Sequence, residues 1–247
     1  MISAITASAA TRSLRLCRHA SSALPTYVAA IDQGTSSSRV VLYDTATLMP
    51  AAAGQTPLSI TTPQAGWAQM DANTILASVE TCAAAALAEA GATAAQVVGV
   101  GITNQRETTV VWDRNTGEPL HDAVLWLDTR TRETVAGLVE APGVGGVDGL
   151  RGVCGLPLST YFTGVKLRWL IDNVPDVREG LEKGTALVGT VDSWLIWKLT
   201  GGAQVRRAVG ERRGEEGEGG GWKESGEGGG WKGSTCWKER LYVCEWW

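Results

Sequence analysis

Asp32 is followed by Gly34, by four consecutive hydroxyl residues, Thr35, Ser36, Ser37 and Ser38, and by Arg39. Hydroxyls and backbone N–H groups of a tight turn make a cradle for an anion, and a glycine lets the backbone come close to it. The run of hydroxyls is a candidate phosphate cradle, and Arg39 adds a fixed positive charge. Asp32, beside such a phosphate, is a candidate carboxylate for Mg²⁺, held mostly through water. The spacing is not the GxxxxGK of a Walker A loop. On these residues alone, a plain serine-rich turn is the competing reading.

A second group lies further along. Asn104, Gln105, Arg106, Glu107 and Thr108 are consecutive. An Arg–Glu pair can hold a small polyol from two sides, with the carboxylate accepting from hydroxyls and the guanidinium donating to their oxygens. The same pair also describes a surface ion pair. Trp126 and Tyr161 offer apolar walls for a carbon chain, or serve as ordinary core aromatics.

The elements that must place these residues are legible from periodicity. Residues 27–31 and 40–43 are short apolar runs around a polar turn over 32–38, which predicts a β-hairpin with a polar tip. A weaker third strand is expected within 48–61. Asp71 predicts the N-cap of a long helix whose apolar face carries Ile75, Val79, Cys82 and Ala86, and Gly91 predicts its end. Residues 97–102 and 109–112 predict strands, 130–139 and 162–173 helices, 187–191 a short apolar run, and 193–199 a last helix that Asp192 would cap. Three strands followed by alternating helices and strands predict an α/β domain with a mixed sheet.

Composition bounds the rest. The chain has 247 residues, 44% hydrophobic and 19% charged, with a net charge of −4. That is the composition of a globular protein and gives no reason to expect nucleic acid as a partner. No apolar stretch is long enough for a membrane span. The five cysteines are odd in number, scattered, and without a CxxC pair, which argues against a disulfide framework or zinc site and for a reducing compartment. Residues 1–25 contain Arg12, Arg15 and Arg18 and no Asp or Glu. This is the composition of an organelle transit peptide, with the mitochondrion expected ahead of the cytoplasm or chloroplast, or of a disordered extension. Residues 203–247 repeat one glycine-rich heptapeptide, from 217 to 223 and from 226 to 232, and hold five of the eleven tryptophans. Such a segment buries too little apolar surface to offset the entropy of ordering it, so disorder is expected there.

Taken together, residues 30–39 resemble the phosphate-1 motif of the FGGY carbohydrate kinases in the form found in glycerol kinases. Residues 101–112, 125–130, 155–162 and 189–197 resemble four further motifs of that family, in its order. The resemblance covers 27–202. It implies an actin-like ATPase, ribonuclease H-like α/β fold, of which residues 26–202 would be the N-terminal domain, with a mixed sheet and flanking helices. It implies transfer of the γ-phosphoryl group of ATP to glycerol with Mg²⁺, and for the full-length family a homo-oligomer. Thr35, Ser36, Ser37 and Arg39 match nucleotide-binding positions and Asp32 the aspartate near the metal. Arg106, Glu107 and Tyr161 match glycerol-binding positions and Trp126 a residue lining the pocket.

The match stops at Gly202. In the family the aspartate acting as general base, and the domain holding most of the nucleotide, lie beyond that point. The catalytic residue is therefore unassigned in this sequence, and the expectation is a truncated, inactive chain. The alternatives are a non-catalytic polyol-binding fragment, or the mispredicted product of a gene for a related sugar kinase whose tail is translated non-coding sequence.

Overall fold

The computed structural model describes residues 24–202 and the backbone of residues 241–243. Strand β1 (Tyr27–Gln33) alternates as its sequence demands, with Tyr27, Ala29, Ile31 and Gln33 buried and Asp32 exposed. It pairs antiparallel with β2 (Ser37–Asp44), which pairs antiparallel with β3 (Pro50–Pro57). On its other side β1 pairs in parallel with β5 (Val97–Asn104). The sheet order is β3-β2-β1-β5-β9, where β9 is the short segment Leu241–Val243 running parallel to β5. That segment falls in the region where disorder was expected; the rest of 203–247, and residues 1–23 with most of the expected transit peptide, lie outside the described residues.

Helix α1 (Ala72–Ala90) covers one face of this sheet. Asp71 accepts from the N–H groups of Asn73 at 3.0 Å and Thr74 at 3.2 Å, satisfying two of the helix's orphan donors. Gly91 ends the helix in the left-handed region, at φ 61°. Ile75, Val79, Cys82 and Ala86 form the buried stripe and meet Ile31, Val40, Leu42 and Ile102 of the sheet. A glycine is needed at position 54 because a Cβ there would stand 2.3 Å from the carbonyl oxygen of Cys82.

Two small ribbons complete the scaffold: β4 (Gln69–Met70) with β7 (Ala123–Val124), and β6 (Val110–Asp113) with β8 (Ala186–Gly189). Around them lie α2 (Arg132–Glu140), α3 (Arg151–Cys154), α4 (Thr163–Asn173), α5 (Pro175–Glu182) and α6 (Val191–Leu199). Trp194 of α6 packs edge-on against Trp112 with ring centroids 5.5 Å apart, and its indole N–H donates to the Ala72 carbonyl at 3.0 Å. This joins α6 to the start of α1. Val111, Val124, Leu170 and Val177 form a second, smaller core beneath α4 and α5. Each such side chain fully removed from water contributes about 2 kcal/mol.

Two sequence expectations need correction. The hairpin turn is shorter than 32–38, because both strands extend into the polar residues. Asp192 is not the cap of α6: Thr190 holds that position, and Asp192 sits in the first helical turn accepting from the Thr190 hydroxyl. A carboxylate is favourable there in either place, since the helix N-terminus is the positive end of its dipole. Helices α3 and α5 and the ribbon of β4 with β7 were not anticipated. Their sequences are too short, or too rich in glycine and charge, to show a period.

Candidate functional site

Parallel pairing of β1 with β5 puts Gln33 beside Asn104, so the loops that leave these two strands emerge together at one sheet edge. The carboxyl ends of strands are where open α/β sheets form their binding crevices.

The first loop is the hairpin tip. The Gly34 N–H donates to the Ser37 carbonyl at 2.9 Å and closes a turn of only a few residues. Thr35 and Ser37 are half-buried in it and Ser36 is exposed. Ser38 points the other way, buried against Ser78 of α1 with the two hydroxyl oxygens 2.7 Å apart, and so anchors the tip to the helix. Gln55 on β3 steadies the outer residues: it accepts from Arg39 Nη2 at 3.0 Å and donates to Ser37 Oγ at 3.2 Å. Asp32 and Arg39 are register partners on the exposed face of the hairpin.

The second loop continues the ladder, with the Gln105 N–H donating to the Gln33 carbonyl at 2.8 Å. Arg106 is exposed, and Glu107 turns the chain with a positive φ of 63°. Few non-glycine residues hold that conformation, and when they do the surrounding structure over-determines it. The reason here is at hand. Phe162, the N-cap residue of α4, supplies no side-chain hydrogen bond to its helix. Glu107 does so instead: its Oε2 accepts from the Thr163 backbone N–H at 2.8 Å and the Thr163 hydroxyl at 3.1 Å. The carboxylate thus caps a helix 56 residues away in sequence. Oε1 makes no hydrogen bond within the described residues and stays available as an acceptor.

Trp126 and Tyr161 form the wall. Their rings meet edge-to-face at 6.4 Å and 74°. Trp126 is held from below by its own segment. Asp128, fully buried, accepts from Ala68 N at 2.5 Å, Arg130 N at 2.8 Å and Arg130 Nε at 2.9 Å. The Arg130 guanidinium also donates to Gln69 at 2.8 Å and lies over Trp67, 4.0 Å from the ring centroid. Trp126 reaches the hairpin directly, its indole N–H donating to Thr35 Oγ1 at 2.9 Å.

Below Tyr161 lies Lys166, completely buried, its ammonium donating to the Tyr161 carbonyl. Burial pushes its pKa down to about 8, against the opposing pull of Glu107 and Asp128. Among the described residues, no three His, Cys, Asp or Glu side chains cluster as a metal site. Mg²⁺ in phosphoryl-transfer sites uses one or two carboxylates, waters and substrate phosphates, and exposed Asp32 beside the tip fits that pattern.

The structure therefore brings Thr35, Glu107, Trp126 and Tyr161 into one connected group, with Ser36, Ser37, Asp32, Arg39 and Arg106 on the adjoining loops and strand ends. Sequence reasoning missed the supporting residues Gln33, Thr163 and Lys166, and gave Gln105 and Thr108 no role. Lys166 carried a signal: it stands four residues before Leu170 and beside Val165, on the buried side of α4.

Residues 27–208 match the FGGY family of carbohydrate kinases, N-terminal domain. This chain belongs to that family. A glycerol kinase of Brucella anthropi is 47% identical over 178 residues, which are 72% of this chain and 35% of that protein. A glycerol kinase of Arabidopsis thaliana is 45% identical over 180 residues, 71% of this chain and 34% of its own length. The FGGY match thus spans about a third of the curated relatives it resembles. The crystal structure of Plasmodium falciparum glycerol kinase with ADP superposes with a TM-score of 0.64 and 32% identity, over 72% of this chain and 35% of that one. A gluconate kinase from Lactobacillus acidophilus, at 18% identity and a TM-score of 0.60, shares the fold. The mixed sheet with flanking helices is the actin-like ATPase fold of these FGGY kinases. No helix among the described residues is long and apolar enough to cross a membrane.

Proposed function

We propose that residues 26–202 carry the polyol-facing and phosphate-facing side of a glycerol kinase site, in which ATP phosphorylates glycerol to glycerol 3-phosphate. The observation that carries this reading is the joining of an aromatic wall and a carboxylate to a hydroxyl-rich hairpin tip. Trp126 touches Tyr161 on one side and Thr35 on the other, and Glu107 is bonded to Thr163, two residues along the chain from Tyr161.

In that role Trp126 and Tyr161 pack on the carbon chain. Glu107 Oε1 accepts from a glycerol hydroxyl and Arg106 donates to another. Thr35, Ser36, Ser37 and the turn N–H groups receive nucleotide phosphate, with Arg39 adding charge. Asp32 would hold Mg²⁺ through water, and a bound ion there neutralises charge on the phosphates. Phosphoryl transfer rests on such positioning and charge stabilisation more than on covalent help from the protein. The general base has no assignment among these residues.

Calorimetric titration of the full chain with glycerol tests the reading. Glycerol is expected to bind weakly, Arg106→Ala to weaken it at least tenfold, and a pentulose to bind less well than glycerol. A folded chain that takes up no glycerol refutes it. For residues 1–25 we infer an import address, mitochondrial first. Fused to a fluorescent reporter they should direct it to an organelle, and a reporter left diffuse in the cytosol would reject this.

A further inference from the structure

Five side chains close a ring of hydrogen bonds between the hairpin tip and the wall. Gln33 Nε2 donates to the Gly34 carbonyl at 2.8 Å. Gln105 Nε2 donates to Gln33 Oε1 at 3.1 Å and leans toward the same Gly34 carbonyl at 3.4 Å. The Thr108 hydroxyl donates to Gln105 Oε1 at 3.0 Å and accepts from the Trp126 backbone N–H at 3.2 Å. The Trp126 indole N–H then returns to the tip at Thr35 Oγ1. Gln33, Gln105 and Thr108 are buried, so water does not compete for the bonds that join these three side chains.

Trp126 anchors both ends of the ring, since its two N–H groups can only donate. The Thr108 oxygen accepts from the Trp126 backbone N–H, and its own proton goes to Gln105 Oε1. That fixes the Gln105 amide with its nitrogen toward Gln33, and the Gln33 amide with its nitrogen toward Gly34. At the other end the same logic governs Thr35. Its oxygen already accepts the indole proton, and no other protein group among the described residues takes the Thr35 hydroxyl proton.

We propose that Trp126 is a positioning residue for the phosphate side of the site: its indole N–H orients the Thr35 hydroxyl as an outward donor toward a phosphate oxygen. Gln33, Gln105 and Thr108 hold Trp126 in the place where it does this. This rests on the phosphate-binding reading above. It adds that the polyol wall and the phosphate cradle are linked through one proton, so that a change in the wall is felt in nucleotide affinity.

The test uses the full chain labelled with ¹⁵N at backbone and indole nitrogens, with the Trp126 indole signal assigned by its loss in Trp126→Phe, and ADP with Mg²⁺ as the probe. ADP is expected to shift that signal in the wild type and in Thr35→Ser, which keeps the hydroxyl, but not in Thr35→Val. Trp126→Phe, which keeps an aromatic wall, should weaken ADP binding about three- to tenfold, the worth of one aligned hydrogen bond. Adding Thr35→Val to it should cost no more than Thr35→Val alone. ADP shifting the Gly34 and Ser36 amides while the indole signal stays still, or Trp126→Phe binding ADP as tightly as the wild type, overturns the inference and leaves the functional reading standing. If ADP moves no signal of the hairpin tip, both fall.

Discussion

Trp126 Nε1 and Thr35 Oγ1 stand 2.9 Å apart, a bond that spans 91 residues and joins the aromatic wall to the hairpin tip. Both side chains are partly open to water, so the bond is expected to contribute little to stability whatever it does for binding. A double-mutant cycle in urea with Thr35→Val and Trp126→Phe should give an interaction energy below about 1 kcal/mol. A larger coupling would mean that the contact is part of the folding core rather than of the site.

Glu107 should behave as a helix cap as well as a binding residue. Glu107→Ala removes the acceptor for Thr163 N–H and is expected to cost about 1–2 kcal/mol by denaturant unfolding, the usual loss when a cap is deleted. Glu107→Gln keeps an acceptor oxygen and should recover most of that stability. It places an uncharged group before the polyol, however, and glycerol binding should stay weakened. Equal stability of Glu107→Ala and the wild type would refute the capping role.

The sheet and the long helix were readable because their signals are local. Asp71 and Gly91 mark the ends of α1, and the stripe from Ile75 to Ala86 marks its buried face. The hairpin was equally plain from two apolar runs around a polar tip. The parts of the site were legible as residue types, and the motif order placed them. Their connections were not, since Glu107 with Thr163 and Gln33 with Gln105 lie 56 and 72 residues apart. No period or spacing announces that a glutamate will cap a distant helix. The apolar stripe of α4 also hid Lys166, because a lysine beside a buried face is ordinarily read as reaching past it to water.

Gly54 tests how closely α1 is seated on the sheet. A methyl group there meets Cys82 backbone atoms, at 2.3 Å from the oxygen and 3.0 Å from the carbonyl carbon, and backbone cannot swing aside as a flexible side chain would. Gly54→Ala is expected to destabilise by about 1–3 kcal/mol, as overpacked cores do, despite the higher strand propensity of alanine. Thermal unfolding of that variant at or above the wild-type midpoint would show that the helix lies further from β3.

Lys166 gives the chain a stability that depends on pH in an unusual direction. Burial holds its folded pKa near 8, below the ordinary 10.5 that it regains on unfolding. Between those two values the unfolded chain binds more protons than the folded one, so this group makes stability rise with pH across the window. Below pH 8 the folded protein carries the full cost of a buried ammonium, only partly offset by Glu107, Asp128 and the Tyr161 carbonyl. The span corresponds to a cost on the order of 3 kcal/mol. Lys166→Met has no such proton to lose, though it leaves the Tyr161 carbonyl without its donor. Other lysines and tyrosines titrate in the same range, so the informative quantity is the difference between wild type and variant. Urea midpoints taken from pH 7 to pH 10.5 should show the wild type gaining on Lys166→Met steadily above pH 8. A difference that stays flat over that range, or falls, would mean that Lys166 keeps an ordinary pKa and that its surroundings are wetter than its full burial indicates.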